Sequence, residues 1–133
     1  MFRTLCVIPL LALPLTGCQS TNTVTTGSPR RTNVDYTKIN MNPMLERDIR
    51  VEGVMSTEVN GLLQGQVTLQ NRTSSVRDIE TRFEWFSGQG LQVDASSTVW
   101  NTSTLEAGEI RSITGTAGSP MAKDFRFAVR PRR

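Results

Sequence analysis

Apolar and polar residues alternate along most of the chain from Asp48 onward, and this period of two predicts half-buried β-strands. Three stretches show the alternation most clearly. Their inward positions are expected to be Leu63, Gly65, Val67 and Leu69, then Ile79, Thr81, Phe83 and Trp85, and finally Phe125, Phe127 and Val129. Further strands are expected at 91–93, 99–101 and 110–117. In the last of these, Ile110 and Ile113 have opposite parity, so the pattern leaves the buried face open.

Polar and glycine-rich turn signals separate these strands at intervals of about 8 to 12 residues, a spacing typical of β-sandwiches. We therefore predict an all-β fold over residues 48–133, a small antiparallel sandwich of immunoglobulin type with about seven strands. The aromatic part of its core is expected to contain Phe83, Trp85, Trp100, Phe125 and Phe127.

A hairpin is expected at Asn60-Gly61, between the first two strands. A two-residue loop would place Glu58 opposite a core position, so that charge would face the core. A three-residue loop instead pairs Val51 with Leu69 and Met55 with Gly65. Because a slip of one residue moves every side chain to the other face, we predict the three-residue loop over residues 59–61.

The first 18 residues follow a different pattern. One positive charge at Arg3 precedes an apolar run of 11 residues, Leu5 to Leu15, which is the layout of a secretory signal. The run is too short to cross a bilayer, since a membrane-spanning helix needs about 20 apolar residues. The run ends in Leu15, Thr16, Gly17 and Cys18, and these four residues resemble the lipobox of bacterial lipoproteins.

The lipobox resemblance implies a membrane anchor. In such proteins the cysteine thiol receives a diacylglyceryl group, the signal is cleaved before the cysteine, and the new amine is acylated. Residues 1–17 are therefore expected to be removed, and Cys18 is the expected site of lipid attachment. Each buried methylene contributes about 0.8 kcal/mol, so three acyl chains would hold the protein almost permanently. Gln19 stands where an aspartate would mark inner-membrane retention, which favours the outer membrane, facing the periplasm.

Residues 18–47 are expected to form a flexible tether, because they are rich in Ser, Thr, Asn and Gly and lack a sustained apolar period. A chain of this composition reaches roughly 5 to 6 Å times the square root of its length, or about 28 Å for the roughly 26 residues from Gln19 to Met44. The folded domain would therefore stand clear of the bilayer. Tyr36 and Ile39 are candidates for docking on the edge of the domain.

Composition limits the chemistry of the mature chain. Histidine is absent, and Cys6 lies in the signal, so after cleavage the remaining cysteine is the lipidated Cys18. The chain therefore lacks the commonest general base and metal ligand, and we expect no catalytic residue, no metal and no cofactor. The 15 Lys+Arg and 12 Asp+Glu become 14 and 12 once Arg3 is removed, a balance that does not indicate a nucleic-acid partner.

Two groups of charged residues are candidate sites. Asp78, Glu80 and Glu84 share one strand face and could imitate the carboxylate pair of a glycosidase, but Arg82 between them favours a solvated face of mixed charge.

The second group, here named the basic strip, consists of Lys123, Arg126, Arg130, Arg132 and Arg133, set against the single acid Asp124. Arginine binds carboxylate and phosphate bidentately, so the strip is a candidate surface for an envelope partner. The alternative is an edge strand that charge protects from aggregation. Outward-facing Phe86 is a further candidate contact.

Four segments carry a family resemblance. They are Val59 to Leu63, Val67 to Thr73, Arg82 to Phe86 with Gly90-Leu91 behind it, and Pro120 to Arg126. They are similar to the YcfL-type family of enterobacterial and related lipoproteins. The resemblance implies an immunoglobulin-like sandwich in the periplasm, in a family of unknown function without agreed catalytic residues. Phe86 departs from the family pattern, which has a tyrosine after the tryptophan.

These observations predict a non-enzymatic outer-membrane lipoprotein. Its sandwich is expected to bind an envelope protein or peptidoglycan through a strand edge or the basic strip. The alternative is an accessory lipoprotein subunit of a secretion machine, by analogy with the tethered-sandwich layout of such subunits. An envelope hydrolase is the third candidate, and it would require a deep pocket lined by two carboxylates.

Overall fold

The computed structural model describes residues 34–95 and 99–133, which fold as two packed β-sheets. A 3₁₀ turn, Tyr36–Lys38, precedes the strands β1 (Ile39–Met41), β2 (Ile49–Val59), β3 (Leu62–Asn71), β4 (Arg77–Phe86), β5 (Gln92–Val93), β6 (Asn101–Leu105), β7 (Ile110–Thr116) and β8 (Asp124–Pro131). The predicted all-β sandwich is confirmed, with eight strands in the described residues. The predicted signal peptide, the lipobox and the tether up to residue 33 lie outside them.

The larger sheet contains β1, β8 and β4 in that order, with β5 and β6 both paired to the far side of β4. The smaller sheet has the order β2-β3-β7. All pairings are antiparallel except that of β1 with β8, which is parallel. Because β8 lies between β1 and β4, it is an interior strand. The interpretation of the basic strip as a charge-protected edge strand is therefore wrong.

The folded part of the chain begins earlier than the sequence pattern indicated. Residues 39–41, assigned to the tether, pair with Phe127–Val129 of β8. Leu45 is buried in the core, and Val34 packs against it. A strand of three residues is too short to show alternation, which is why its pattern resembled that of a linker. The described part of the domain thus starts at Val34 instead of residue 48.

The core lies between the sheets and is built from the inward positions that the alternation predicted. Phe125, Phe127, Leu69 and Ile79 are each at most 1% exposed. Phe83 lies among the other rings, with its centroid 4.8 Å from that of Phe127 and 5.6 Å from that of Phe125. The aromatic core is confirmed for four of its five predicted members, the exception being Trp100.

Strand β7 faces the core through its odd-numbered residues. Ile113 packs against the core, whereas Ile110 is 60% exposed. Gly115 lies directly over the ring of Phe83, so close that a Cβ at this position would come within 2.4 Å of a ring carbon. The inward face of β7 therefore includes a position where no side chain fits. The partial burial of Ile113 and the exposure of Ile110 identify the buried face that the sequence left open.

The β2–β3 hairpin closes through a two-residue turn, so the predicted three-residue loop is wrong. Asn60 and Gly61 both have positive φ, 52° and 78°, as a turn that matches the twist of the strands requires. The register shifts between Val51 and Gly53, which places a β-bulge at Glu52. The bulge absorbs the extra residue, and Val51 pairs with Leu69 as predicted.

The bulge takes Glu52 out of register with Leu69, but it leaves the pairing of Glu58 unchanged. Glu58 does lie opposite Leu63, but it is exposed, because the outer part of β2 extends beyond the core. Met55 pairs with Gln66 instead of the predicted Gly65 and is 62% exposed. A sequence pattern read without a bulge therefore assigns the wrong face to this half of β2.

Candidate functional site

The structure divides the basic strip between the two ends of β8. Lys123 and Arg126 lie at its start, whereas Arg132 and Arg133 follow its last residue. A strand rises about 3.3 Å per residue, so the two pairs are on the order of 20 to 30 Å apart. One small partner therefore cannot contact all five residues.

Arg130, the fifth member of the strip, is engaged within the domain. Its Nε donates a hydrogen bond of 2.6 Å to Glu80, and its guanidinium carbon lies 3.9 Å from the ring centroid of Trp100. The guanidinium of Arg82 lies 4.5 Å from the same ring and forms an ion pair with Glu84. Trp100 thus lies on the outer face of the larger sheet, over two arginines, and its assignment to the core is wrong.

The three carboxylates on the outer face of β4 each have a different partner. Glu80 accepts from Arg130, Glu84 pairs with Arg82, and Asp78 accepts a hydrogen bond of 2.6 Å from the hydroxyl of Thr104. The strand face is therefore one of mixed charge, as the sequence favoured. Within residues 34–95 and 99–133 no three His, Cys, Asp or Glu side chains come together as a metal site, and no helix is both long and apolar enough to cross a bilayer.

A cleft of about 630 Å³ opens at the end of the sandwich where β8 begins. We name it the cationic cleft; its charged lining consists of Lys38, Lys123, Asp124 and Arg126, and Phe86 forms part of its wall. Lys38 arrives from the 3₁₀ turn because β1 runs parallel to β8. Lys123 is fixed by its backbone N–H, which donates to the carbonyl oxygen of Phe86 at 2.8 Å.

The cleft carries more positive charge than its carboxylate neutralises. Lys38 forms an ion pair with Asp124. Neither Lys123 nor Arg126 forms an ion pair with a carboxylate of the described part of the chain. The guanidinium carbon of Arg126 lies 5.4 Å from the ring centroid of Phe86, a contact that favours one placement of this side chain. Two cations are therefore available to an anionic group in the cleft.

Sequence reasoning identified part of this site. Lys123, Arg126 and the candidate contact Phe86 all line the cleft. Lys38 was missed, although its neighbours Tyr36 and Ile39 were candidates for docking on the domain edge, because the sequence did not indicate that β1 pairs with β8. The pairing of Lys38 with Asp124 was missed for the same reason.

The architecture defines a small two-sheet β-sandwich whose larger sheet is completed by a short parallel N-terminal strand. The profile of one protein family matches residues 37–131, a span that runs from the 3₁₀ turn to the last residue of β8. The chain belongs to this family, described as "Protein of unknown function (DUF1425)". The YcfL-type resemblance is consistent with membership in it.

Two solved structures share the fold. A DUF1425 family member from Shewanella sp. pv-4 has a TM-score of 0.60 and 18% sequence identity, over 64% of this chain and 79% of its own. Campylobacter jejuni cj0090 has a TM-score of 0.62 and 18% identity, over 71% of this chain and 98% of its own. Identity this low supports the fold alone. No curated protein matches the chain significantly.

Proposed function

We propose that the chain is a lipid-anchored outer-membrane protein that faces the periplasm, has no enzymatic activity, and binds an anionic component of the cell envelope at the cationic cleft. The anionic component is a protein or peptidoglycan. The observation that carries the binding role is the pair of cations Lys123 and Arg126, which lie in one cleft without a carboxylate partner among the described residues.

Support for the anchor comes from the N-terminal sequence. A positive charge, a short apolar run and the lipobox residues Leu15 to Cys18 occur in the order found in bacterial lipoproteins. A role without catalysis is supported by the residue types of the chain and by the partners of its carboxylates. The sequence has no histidine, and the carboxylates of the β4 face are engaged with arginines and a threonine.

Cys18→Ala is expected to release the protein from the membrane fraction and to abolish incorporation of radiolabelled palmitate, because the thiol that would carry the diacylglyceryl group is gone. Cys6→Ala is the matched control, since this cysteine lies within the signal and its loss should leave both readouts unchanged. Wild-type protein that takes up no palmitate would contradict the anchor.

The binding role is tested by photo-cross-linking in cells, with a photoreactive amino acid placed at Gly88 in the cleft or at Ser112 on the opposite sheet. Both positions are exposed. We expect an envelope component to be cross-linked from Gly88 only, and Lys123→Glu with Arg126→Glu to abolish the product through charge repulsion. Arg132→Glu with Arg133→Glu, at the other end of β8, is the control. Cross-links that survive the first pair of changes would contradict the cleft as the binding surface.

A further inference from the structure

We infer that the cationic cleft binds an acidic peptide, that is, a short extended segment that presents free carboxylates together with N–H donors. This inference rests on the proposed function and specifies the chemical class of its ligand.

The positive side of the cleft fits carboxylates. Arg126 is held against the ring of Phe86, and its guanidinium N–H groups make no hydrogen bond within residues 34–95 and 99–133. A guanidinium in this state can bind a carboxylate bidentately, and the ammonium of Lys123 adds a second charge in the same cleft. Two cations without carboxylate partners suit a ligand with more than one negative group.

The cleft also offers a hydrogen-bond acceptor, which a simple anion would not satisfy. Oδ1 of Asp124 accepts from both Lys38 and the backbone N–H of Phe125. Its other oxygen, Oδ2, has no hydrogen-bond partner in the described part of the chain, and the side chain is 56% exposed. An ionised carboxylate or a phosphodiester has no hydrogen to donate to this oxygen, whereas the amide or amine N–H of a peptide would donate to it. The arrangement of both charge signs therefore favours a peptide.

The shape of the cleft is compatible with an extended segment. A volume of about 630 Å³ is within the range of ligand pockets. Gly88 and Gly90 lie along one side, and a Cβ at either position would meet nothing within 4 Å. The backbone at this side of the cleft is therefore open to close approach by another main chain.

A flat anionic bilayer fits this end of the sandwich less well. Asp35 precedes the 3₁₀ turn, and hydrogen bonds from the hydroxyl and the backbone N–H of Thr37 hold the pKa of Asp35 below its ordinary value. Glu58 is exposed on the β2–β3 hairpin. This hairpin lies at the same end of the sandwich as the start of β8, because the backbone N–H of Ala117, in the segment that leads to β8, donates to the carbonyl oxygen of Leu63. A membrane surface would meet these carboxylates as well as the cations, whereas a ligand confined to the cleft would contact Lys123 and Arg126 without them.

The test uses the full-length mature chain in detergent and fluorescence anisotropy with a labelled pentapeptide that contains two glutamates and a free carboxyl terminus. The matched probe has glutamines and an amidated terminus. We expect the acidic peptide to bind, and the neutral one to bind about tenfold more weakly or worse. Lys123→Glu with Arg126→Glu should lower the affinity for the acidic peptide by about tenfold or more. Arg126→Lys keeps the charge but loses the bidentate fork, so its affinity should lie between those of the wild type and the double variant. Arg132→Glu with Arg133→Glu should have no effect.

Competition by other anions separates the ligand classes. Tricarballylate, with three carboxylates and no N–H, inorganic phosphate and phosphatidylglycerol vesicles are each expected to displace the peptide poorly. Equal binding of the two peptides, equal binding of tricarballylate, or binding to vesicles or phosphate in place of peptide would each overturn the inference. Cross-linking from Gly88 in cells is scored independently. If the acidic peptide does not bind but the cross-link from Gly88 still forms and depends on Lys123 and Arg126, the peptide assignment is wrong and the proposed function stands.

Discussion

Phe127→Ala is expected to lower the free energy of unfolding by about 3 to 5 kcal/mol. Phe127 is completely buried in β8, and its ring centroid lies 4.8 Å from that of Phe83. Its backbone is flanked on both sides, by Ile39 of β1 and by Phe83 of β4. A strand held on both sides cannot move inward to fill the space left by the ring. The substitution therefore loses the free energy of burying the ring and also leaves a cavity, which lowers stability further.

The loss can be measured by urea denaturation, and at this domain size it corresponds to a fall in melting temperature of at least about 12 °C. Tyr36→Ala is the matched control, because it removes a ring of similar size from a residue that is 62% exposed. We expect the control to change the free energy of unfolding by less than about 0.5 kcal/mol. A loss below about 1 kcal/mol for Phe127→Ala would show that this ring is not central to the core.

Asn71→Ala is expected to cost about 3 kcal/mol, although asparagine is a polar residue in a sheet of apolar inward positions. Asn71 is completely buried at the end of β3. Its Nδ2 lies 2.8 Å from the carbonyl oxygen of Ser75, 3.1 Å from that of Leu105 and 2.9 Å from that of Glu106. Its Oδ1 accepts from the N–H and the hydroxyl of Thr73. Alanine would remove all of these bonds at once, and the carbonyl oxygen of Leu105, whose bond to Asn71 is buried, would lose this donor.

Asn101→Ala is the matched control for the amide. Asn101 is exposed, and its Nδ2 makes one hydrogen bond of 3.3 Å, to the carbonyl oxygen of Val99, so we expect a loss below about 0.5 kcal/mol. Asn71→Asp tests the donor by itself, because it keeps the shape and replaces the N–H₂ group with an oxygen that would face three carbonyl oxygens. We expect it to unfold at lower urea concentration than wild type, and a variant as stable as wild type would contradict the role of the donor.

Phe127 and Asn71 show what the alternation of apolar and polar residues predicts and what it does not. The pattern identifies the inward face of β3, β4 and β8, because in a strand paired on both sides each residue must point to one sheet face or the other. It therefore places Phe127 in the core. Asn71 lies at an inward position of β3 as well, but the pattern does not indicate which carbonyl groups of the 72–76 corner and the end of β6 its amide will bind.

The errors arose where a local pattern depends on a distant contact. Glu52 forms a bulge, and a bulge shifts the register without changing the residue types that surround it. The buried face of β7 was left open because one of its inward positions is Gly115, where the ring of Phe83 from the other sheet leaves no room for a side chain. Trp100 covers Arg82 and Arg130 on the outer face, although its size and apolar character suggest burial in the core.

The candidate site was recovered in part for a similar reason. Lys123 and Arg126 are close in sequence and lie at the same end of β8, so composition was enough to identify them. Arg132 and Arg133 were grouped with them by sequence proximity, but an extended strand separates residues that a list of charges places together. Lys38 reaches the cleft only through the parallel pairing of β1 with β8.

The sequence by itself determined the all-β class, the inward faces of three strands and the absence of histidine, and it contains the four residues Leu15 to Cys18 whose resemblance to a lipobox supports the proposed anchor. These properties depend on residue type and on near neighbours along the chain. Only the tertiary structure decided that β8 is an interior strand, that Arg130 is bound to Glu80 and Trp100, and that Lys38, Lys123 and Arg126 share a cleft. Such properties depend on pairing between segments far apart in the chain, and a local pattern of residue types does not specify which distant segments pair.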